Sequence, residues 1–140
     1  MLIEGTAHPP PCNPPQNVAD FNAAEISTTR LIDRPVLVEH TGGERGKVLS
    51  SWEGTGGELR VLATVTCPDA IQQVRTGSLS ELSLGTSVFA MEGSTVHKQV
   101  REVSLVEKGA RHDCVIDTVD GRRVRKRHNA SAASTIGACK

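Results

Sequence analysis

The sequence predicts a mostly β domain: a small, largely antiparallel barrel of six or seven strands with one or two short helices. Three observations carry this expectation. Runs of alternating apolar and small polar residues, rich in Val, recur along the chain, among them 58–66, 79–89 and 98–106. Turn signals separate them, such as Gly54-Thr55-Gly56-Gly57 and Gly109-Ala110-Arg111. So many strands in a short chain would expose edges, and closure into a barrel removes them.

In chain order, residues 2–7 form a short first strand. Five prolines between His8 and Pro15 then hold the chain in a loop or an extended edge. Residues 22–32 have weak helical character. Pro35-Val36-Leu37-Val38-Glu39-His40 is a strand ending on the histidine, Thr41-Gly42-Gly43 turns the chain, and residues 46–52 run extended. After the turn at 54–57 and strand 58–66, Cys67-Pro68-Asp69-Ala70 opens a short helix. Pro68 suits its first turn, Asp69 complements the dipole there, and Gly77 is a natural stop. Strands over 79–89, 98–106 and 114–119 follow. Asp120-Gly121 ends the barrel body, which gives a domain over 1–120 and a flexible tail over 121–140.

At 140 residues the chain suits one domain. Its formal charge is zero but segregated. Residues 121–140 carry six basic residues and no acid, leaving ten basic against sixteen acidic residues, a net of minus six, in 1–120. An acidic body argues against nucleic-acid binding there. The aromatics, Phe21, Phe89 and Trp52 with no Tyr, are too few for base stacking. Nucleic acid is left only the basic tail, and the core must be aliphatic. Cys12, Cys67, Cys114 and Cys139 lie far apart with no C-x-x-C pair, which predicts free thiols in a reducing compartment and no structural metal. The start reaches Glu4 and then prolines too early for a signal peptide, and no apolar run approaches the roughly 18 residues of a membrane span. A soluble, intracellular protein with no membrane contact is expected.

Ser83 is the first residue that could carry chemistry. On a strand, Leu82 and Leu84 point to one face and Ser83 and Gly85 to the other, so a rigidly held hydroxyl has a glycine beside it. His40 closes a strand, and a neutral imidazole there could take and return the Ser proton. Glu102, among apolar strand residues, could orient that imidazole. His97 is the rival third member, and in a regular strand it would face away from Glu102. Each residue alone has a commoner use: a solvent-facing strand Ser, a polar strand end, a surface Glu paired with Arg101 or Lys98.

Their order and surroundings resemble one family. Pro35-Val36-Leu37-Val38-Glu39-His40 with Gly46-Lys47-Val48-Leu49 resembles the assemblins, the capsid-maturation serine proteases of herpesviruses, in which a Pro-Val-rich strand ends on the catalytic His. Glu81-Leu82-Ser83-Leu84-Gly85 is similar to the assemblin nucleophile segment Gly-Leu-Ser-Leu-Ser and to the Ser-Ile-Gly of tailed-phage prohead proteases. Glu102-Val103-Ser104-Leu105-Val106 resembles the prohead segment whose Glu completes the triad, where assemblins have His. Gly109-Ala110-Arg111 is similar to the assemblin Gly-Arg-Arg of the oxyanion site. The resemblance implies Ser83 as nucleophile, His40 as base and Glu102 as orienter. It makes the backbone N–H near Ala110 and the Arg111 side chain the oxyanion donors, and it implies no metal or cofactor.

The substrate so implied is a scaffold protein, or a scaffold segment on the chain's own C-terminus, within assembling capsids that also contain the major capsid protein. The compartment would be a host nucleus or, for a phage, the cytoplasm. Assemblins cut Ala-Ser bonds, often after Asn, so Asn129-Ala130-Ser131 resembles a self-cleavage site. The chain is shorter than assemblins and has no evident place for their dimer helices, which leaves a homodimer undecided. A non-enzymatic capsid or scaffold module on the same barrel is the alternative.

Overall fold

The computed structural model describes residues 1–10, 31–92, 95–111 and 113–124, with side chains left aside for 88–98. Eight strands and one helix make up the described residues. They are β1 (Leu2–His8), β2 (Pro35–Val38), β3 (Thr41–Glu53), β4 (Leu59–Thr64), α1 (Pro68–Thr76), β5 (Glu81–Glu92), β6 (Thr95–Val106), β7 (Ile116–Val119) and β8 (Arg122–Arg123). The strands form one sheet in the order β5-β6-β2-β3-β4-β1-β7-β8. Every pairing is antiparallel except β2 with β6, which is parallel.

The sheet curls until its ends meet. Leu82 N–H donates to Cys114 O at 2.7 Å and Ile116 N–H to Ser80 O at 3.0 Å, around a bridge between Glu81 and Val115. Gly5 permits this closure, because a Cβ there would overlap the Val115 carbonyl that crosses it. The small, largely antiparallel barrel expected from the sequence is therefore the observed architecture.

Alternation fills the interior with aliphatic side chains. On β4, Leu59, Val61 and Ala63 are fully buried while Arg60, Leu62 and Thr64 are not. They meet Ile3, Val36, Val48, Leu82, Val103 and Leu105 in one core. Each fully buried Val, Leu or Ile contributes about 1.5–3 kcal/mol. Helix α1 adds Ala70 and Val74, four residues apart on one face, and stops at Gly77 with φ 83°. Across β1, β4 and β7, Arg60 ties Glu4, Thr6 and Asp117 together. Cys67 and Cys114 are free thiols, and burial pushes the Cys114 thiol up to about 12.

Two local expectations differ from the structure. The strand 35–40 stops at Val38, and Glu39-His40 rather than Thr41-Gly42-Gly43 makes the turn, with Val38 paired to Thr41. Glu39 and His40 both lie at positive φ, 51° and 60°, as a two-residue type I′ hairpin turn requires. Neither residue signals such a turn in sequence, because bonds from β6 impose it. Asp120-Gly121, expected to end the body, turns the chain into β8, and Val124 N–H still bonds Asp117 O at 2.8 Å. The weak helix at 22–32 lies outside the described residues apart from its last two positions, which sit in a turn.

Gly46 offers a test of the packing. A Cβ there would overlap the Thr64 carbonyl on β4, a rigid backbone neighbour. Gly46→Ala is expected to cost about 1–3 kcal/mol, read from the midpoint of urea unfolding. An unchanged midpoint would show that β3 and β4 are less closely apposed.

Candidate active site

The middle strand of the site is β6. Its neighbours are β5 on one side and β2 on the other, and Ser104 lies in register with Ser83 of β5 and Leu37 of β2. Val103 and Leu105 point into the core, so Glu102 and Ser104 point outward. Leu82 is buried on β5, and Ser83 and Gly85 share the outward face with them. Glu102 lies directly opposite Gly85.

His40 reaches this face from the β2–β3 turn. Its backbone N–H donates to Ser104 Oγ at 3.0 Å, and the neighbouring Glu39 N–H donates to Leu105 O at 3.0 Å. Glu39 Oε1 in turn accepts from Glu107 N–H at 2.7 Å. These bonds hold two non-glycine residues in the left-handed region, a conformation costing about 1–3 kcal/mol per residue and concentrated at functional sites.

The imidazole bridges two side chains. Nδ1 lies 2.6 Å from Glu102 Oε1, and Nε2 lies 3.1 Å from Ser83 Oγ. Glu102 Oε1 can only accept, so a neutral ring carries its proton on Nδ1 and turns the Nε2 lone pair to the Ser83 hydroxyl. Glu102 Oε2 accepts from Ser104 Oγ at 2.6 Å. The Glu102 side chain is 10% exposed and the His40 side chain 42%. A shielded carboxylate thus has a partner on each oxygen, and the ring is accessible to a reactant. The structure brings Ser83, His40 and Glu102 together in one chain of hydrogen bonds.

The loop after β6 sits beside β5. Gly109 N–H donates to Glu81 Oε1 at 3.0 Å, and a Cβ on Gly109 would lie 3.1 Å from Leu82 O. Ala110 is exposed, next along the chain. Arg111 Nε–H donates at 3.3 Å to Nε2 of His8, a buried histidine whose Nδ1 bonds Pro9 O at 2.9 Å. His97 lies on β6 opposite Ala90, and its side chain falls outside the described residues. Ala130 and Ser131 also lie outside them. Among the described residues, no group of three or more His, Cys, Asp or Glu side chains could hold a metal ion.

Sequence reasoning missed three contributors. Ser104 braces both Glu102 and the His40 backbone, and its signal was its spacing of two from Glu102. The room at Gly85 serves the Glu102 carboxylate, which a Cβ would overlap, and not only the approach to Ser83. His8 had no signal beyond its position at a strand end.

No family model matches the sequence, and no curated protein does. Solved structures do. The Kaposi's sarcoma-associated herpesvirus protease bound to a hexapeptide phosphonate inhibitor is similar at 16% identity and a TM-score of 0.54, over 82% of this chain and 63% of that one. Two further structures of that protease, with an allosteric inhibitor and with a dimer disruptor, each match at 17% identity and a TM-score of 0.56. Both cover 99% of this chain and 90% of theirs. The fold is that of a herpesvirus protease. The chain spans just under two thirds of the first of these structures, and the resemblance to assemblins read from the sequence extends to the backbone.

Gly85→Ala probes the bridge. The added methyl would occupy the space of the Glu102 carboxylate while leaving the barrel interior untouched. The expected outcome is a chain destabilised by about 1–2 kcal/mol that has lost the hydrogen-bonded His40 Nδ1–H resonance in proton NMR. A retained resonance would mean that the carboxylate finds another route to the ring.

Proposed function

We propose that this chain is a capsid-maturation serine endopeptidase that cuts a scaffold protein, or a scaffold segment joined to its own C-terminus, at Ala-Ser bonds. The observation that carries this reading is the His40 ring held between Ser83 Oγ at 3.1 Å and Glu102 Oε1 at 2.6 Å. The herpesvirus-protease fold supports it.

The chemistry follows from the bond directions. Ser83 Oγ attacks the scissile carbonyl carbon as its proton passes to His40 Nε2. The imidazolium that forms is stabilised by Glu102, itself braced by Ser104. The proton then passes to the leaving amine, the C–N bond breaks, and the acyl group remains on Ser83. Water, deprotonated by His40 in the same way, releases the acid and restores the hydroxyl. The carbonyl oxygen gains charge at each tetrahedral stage. The backbone N–H near Ala110 and the Arg111 guanidinium, anchored at Nε by His8, are the proposed donors to it, and a donor of this kind contributes about 3–4 kcal/mol.

No cofactor enters this scheme. The partners proposed with it are the scaffold substrate, the major capsid protein indirectly, and a second copy of the chain. Dimer disruptors bind the similar herpesvirus protease, which supports that last proposal. Nucleic acid is assigned only to the basic tail, no membrane is involved, and the site of action is the assembling capsid inside the cell. A catalytically inactive capsid module is the rival reading.

A peptide phosphonate tests the centre directly, since its tetrahedral phosphorus is a target for an activated hydroxyl. Wild type is expected to gain a covalent adduct on Ser83, and Ser83→Ala none. Glu102→Gln should slow peptide hydrolysis by about four orders of magnitude, as the corresponding change does in a Ser-His-Asp triad, while His97→Ala should change little. The reverse pattern would move the third position to His97. Absence of both adduct and hydrolysis would leave the capsid module as the better reading.

The tail gives a second test. Asn129-Ala130-Ser131 follows Val124, which still bonds Asp117, by about six residues, which reach at most roughly 20–22 Å when extended, so a neighbouring copy's site is as open to the Ala130-Ser131 bond as the chain's own. Intact mass is expected to show slow loss of residues 131–140 from wild type and none from Ser83→Ala. A rate independent of dilution would mean cleavage within one chain. If both chains stay whole while an added Ala-Ser peptide is cut, the tail site falls and the enzyme stands.

A further inference from the structure

One feature of the active face has no part in the bond-breaking chemistry. The β5–β6 register slips by one residue, with Gly85 opposite Glu102 but Thr86 opposite Val100, so Arg101 is an extra residue on β6. Val100 and Val103 are both buried, and the bulge turns the two residues between them outward together. Arg101 is exposed, and its Nε–H donates to Ser87 Oγ at 2.9 Å. Ser87 is the next outward position of β5 beyond Gly85 and the fourth residue beyond Ser83. A cation is therefore fixed on the face that holds Ser83. Among the described residues, no carboxylate lies within pairing distance of Arg101.

We propose that Arg101 is a specificity-determining residue that selects an acidic side chain about four residues before the scissile bond. This rests on the protease reading above. The closing bonds engage β5 at Ser80 and Leu82; beyond them, from Ser83 on, β5 is the end strand of the sheet order, and an extended peptide adds to such an edge by main-chain pairing while its alternate side chains meet the strand's face. Antiparallel addition, the pairing found at every junction here but one, runs the peptide from Ser83 toward Ser87 in its N-terminal direction. Four strand residues span about 13 Å, which sets the reach of the guanidinium from the reacting carbonyl. Arginine offers a fork of donors that matches a carboxylate, and the bond to Ser87 holds that fork in place before substrate arrives. At Ala130-Ser131 the fourth residue before the bond is Arg127, so the chain's own tail presents a like charge there.

The test uses a set of peptides around one Ala-Ser bond, each with a single Glu or Gln at one position from six before the bond to six after it. Hydrolysis is measured with wild type and Arg101→Gln, and binding by fluorescence polarisation with Ser83→Ala and with Ser83→Ala/Arg101→Gln. A Glu-over-Gln preference of about two- to fivefold, the range of a solvent-exposed ion pair, is expected near the fourth position before the bond. It should lie in KM and in binding rather than in kcat, shrink at high salt, and vanish with Arg101→Gln. A flat profile, or a preference that survives Arg101→Gln, overturns the assignment. If the peptides bind with the Arg101-dependent preference but none is cut, the protease reading fails and the subsite stands. If they are cut with no preference, the subsite fails and the protease stands.

Discussion

The Glu102 carboxylate is the group on which the geometry of the site depends. It sits nearly buried on an outward face of the sheet, where an unpartnered charge would cost several kcal/mol of desolvation. Both oxygens must therefore be satisfied. Oε1 takes the His40 ring at 2.6 Å and Oε2 the Ser104 hydroxyl at 2.6 Å, and the opposing residue has to be Gly85 because a Cβ would overlap the carboxylate. A carboxylate bound in this way fixes the imidazole in one orientation and one neutral tautomer. The alignment of His40 Nε2 on Ser83 follows from the demand to pair Glu102.

The fold meets that demand by placing β6 between β5 and β2. Adjacent strands lie about 4.8 Å apart, so Ser83 and the end of β2 are separated by about 10 Å with β6 between them. The His40 ring crosses that gap, and it can do so because Ser104, in register between Ser83 and Leu37, is small. The parallel pairing of β2 with β6 is what brings the β2–β3 turn level with Ser104 and Leu105. The positive φ of Glu39 and His40 is held by bonds to those same two residues, from Glu39 N–H to Leu105 O and from His40 N–H to Ser104 Oγ, so the least favourable backbone in the site is tied to its most buried hydroxyl.

Much of this was legible because it depends on short-range pattern. Strand alternation separated Ser83 and Gly85 from Leu82 and Leu84. Pro68, Asp69 and Gly77 marked α1 through terminal chemistry that acts within one turn. The resemblance to capsid proteases then linked three residues that no spacing could link, since His40, Ser83 and Glu102 lie on three separate segments. What the chain did not announce depends on partners distant in sequence. The Glu39-His40 turn contains no Gly or Asn, and its conformation is imposed by Ser104, Leu105 and Glu107, more than sixty positions away. Strand β8 is two arginines held by pairing with β7, and by composition alone they read as the start of a basic tail. His8 became informative only when the fold set Arg111 beside it.

The extra residue in β6 shows how one irregularity serves packing and chemistry together. A regular strand has a period of two, so Val100 and Val103, three apart, cannot both face the core. The slip at Arg101 resolves this: both valines are buried, and the two charged residues between them emerge side by side on the outer face. A regular strand carrying the same four residues would force a choice. Keeping Val103 inside preserves Glu102 opposite Gly85 but turns Val100 toward solvent, whereas keeping Val100 inside sends the Glu102 carboxylate into an aliphatic interior. The pattern Val-Arg-Glu-Val, which matches neither a clean strand nor a helix, thus needs the slip if the strand is to hold an acid beside Gly85 and a cation next to it while both of its valines stay in the core.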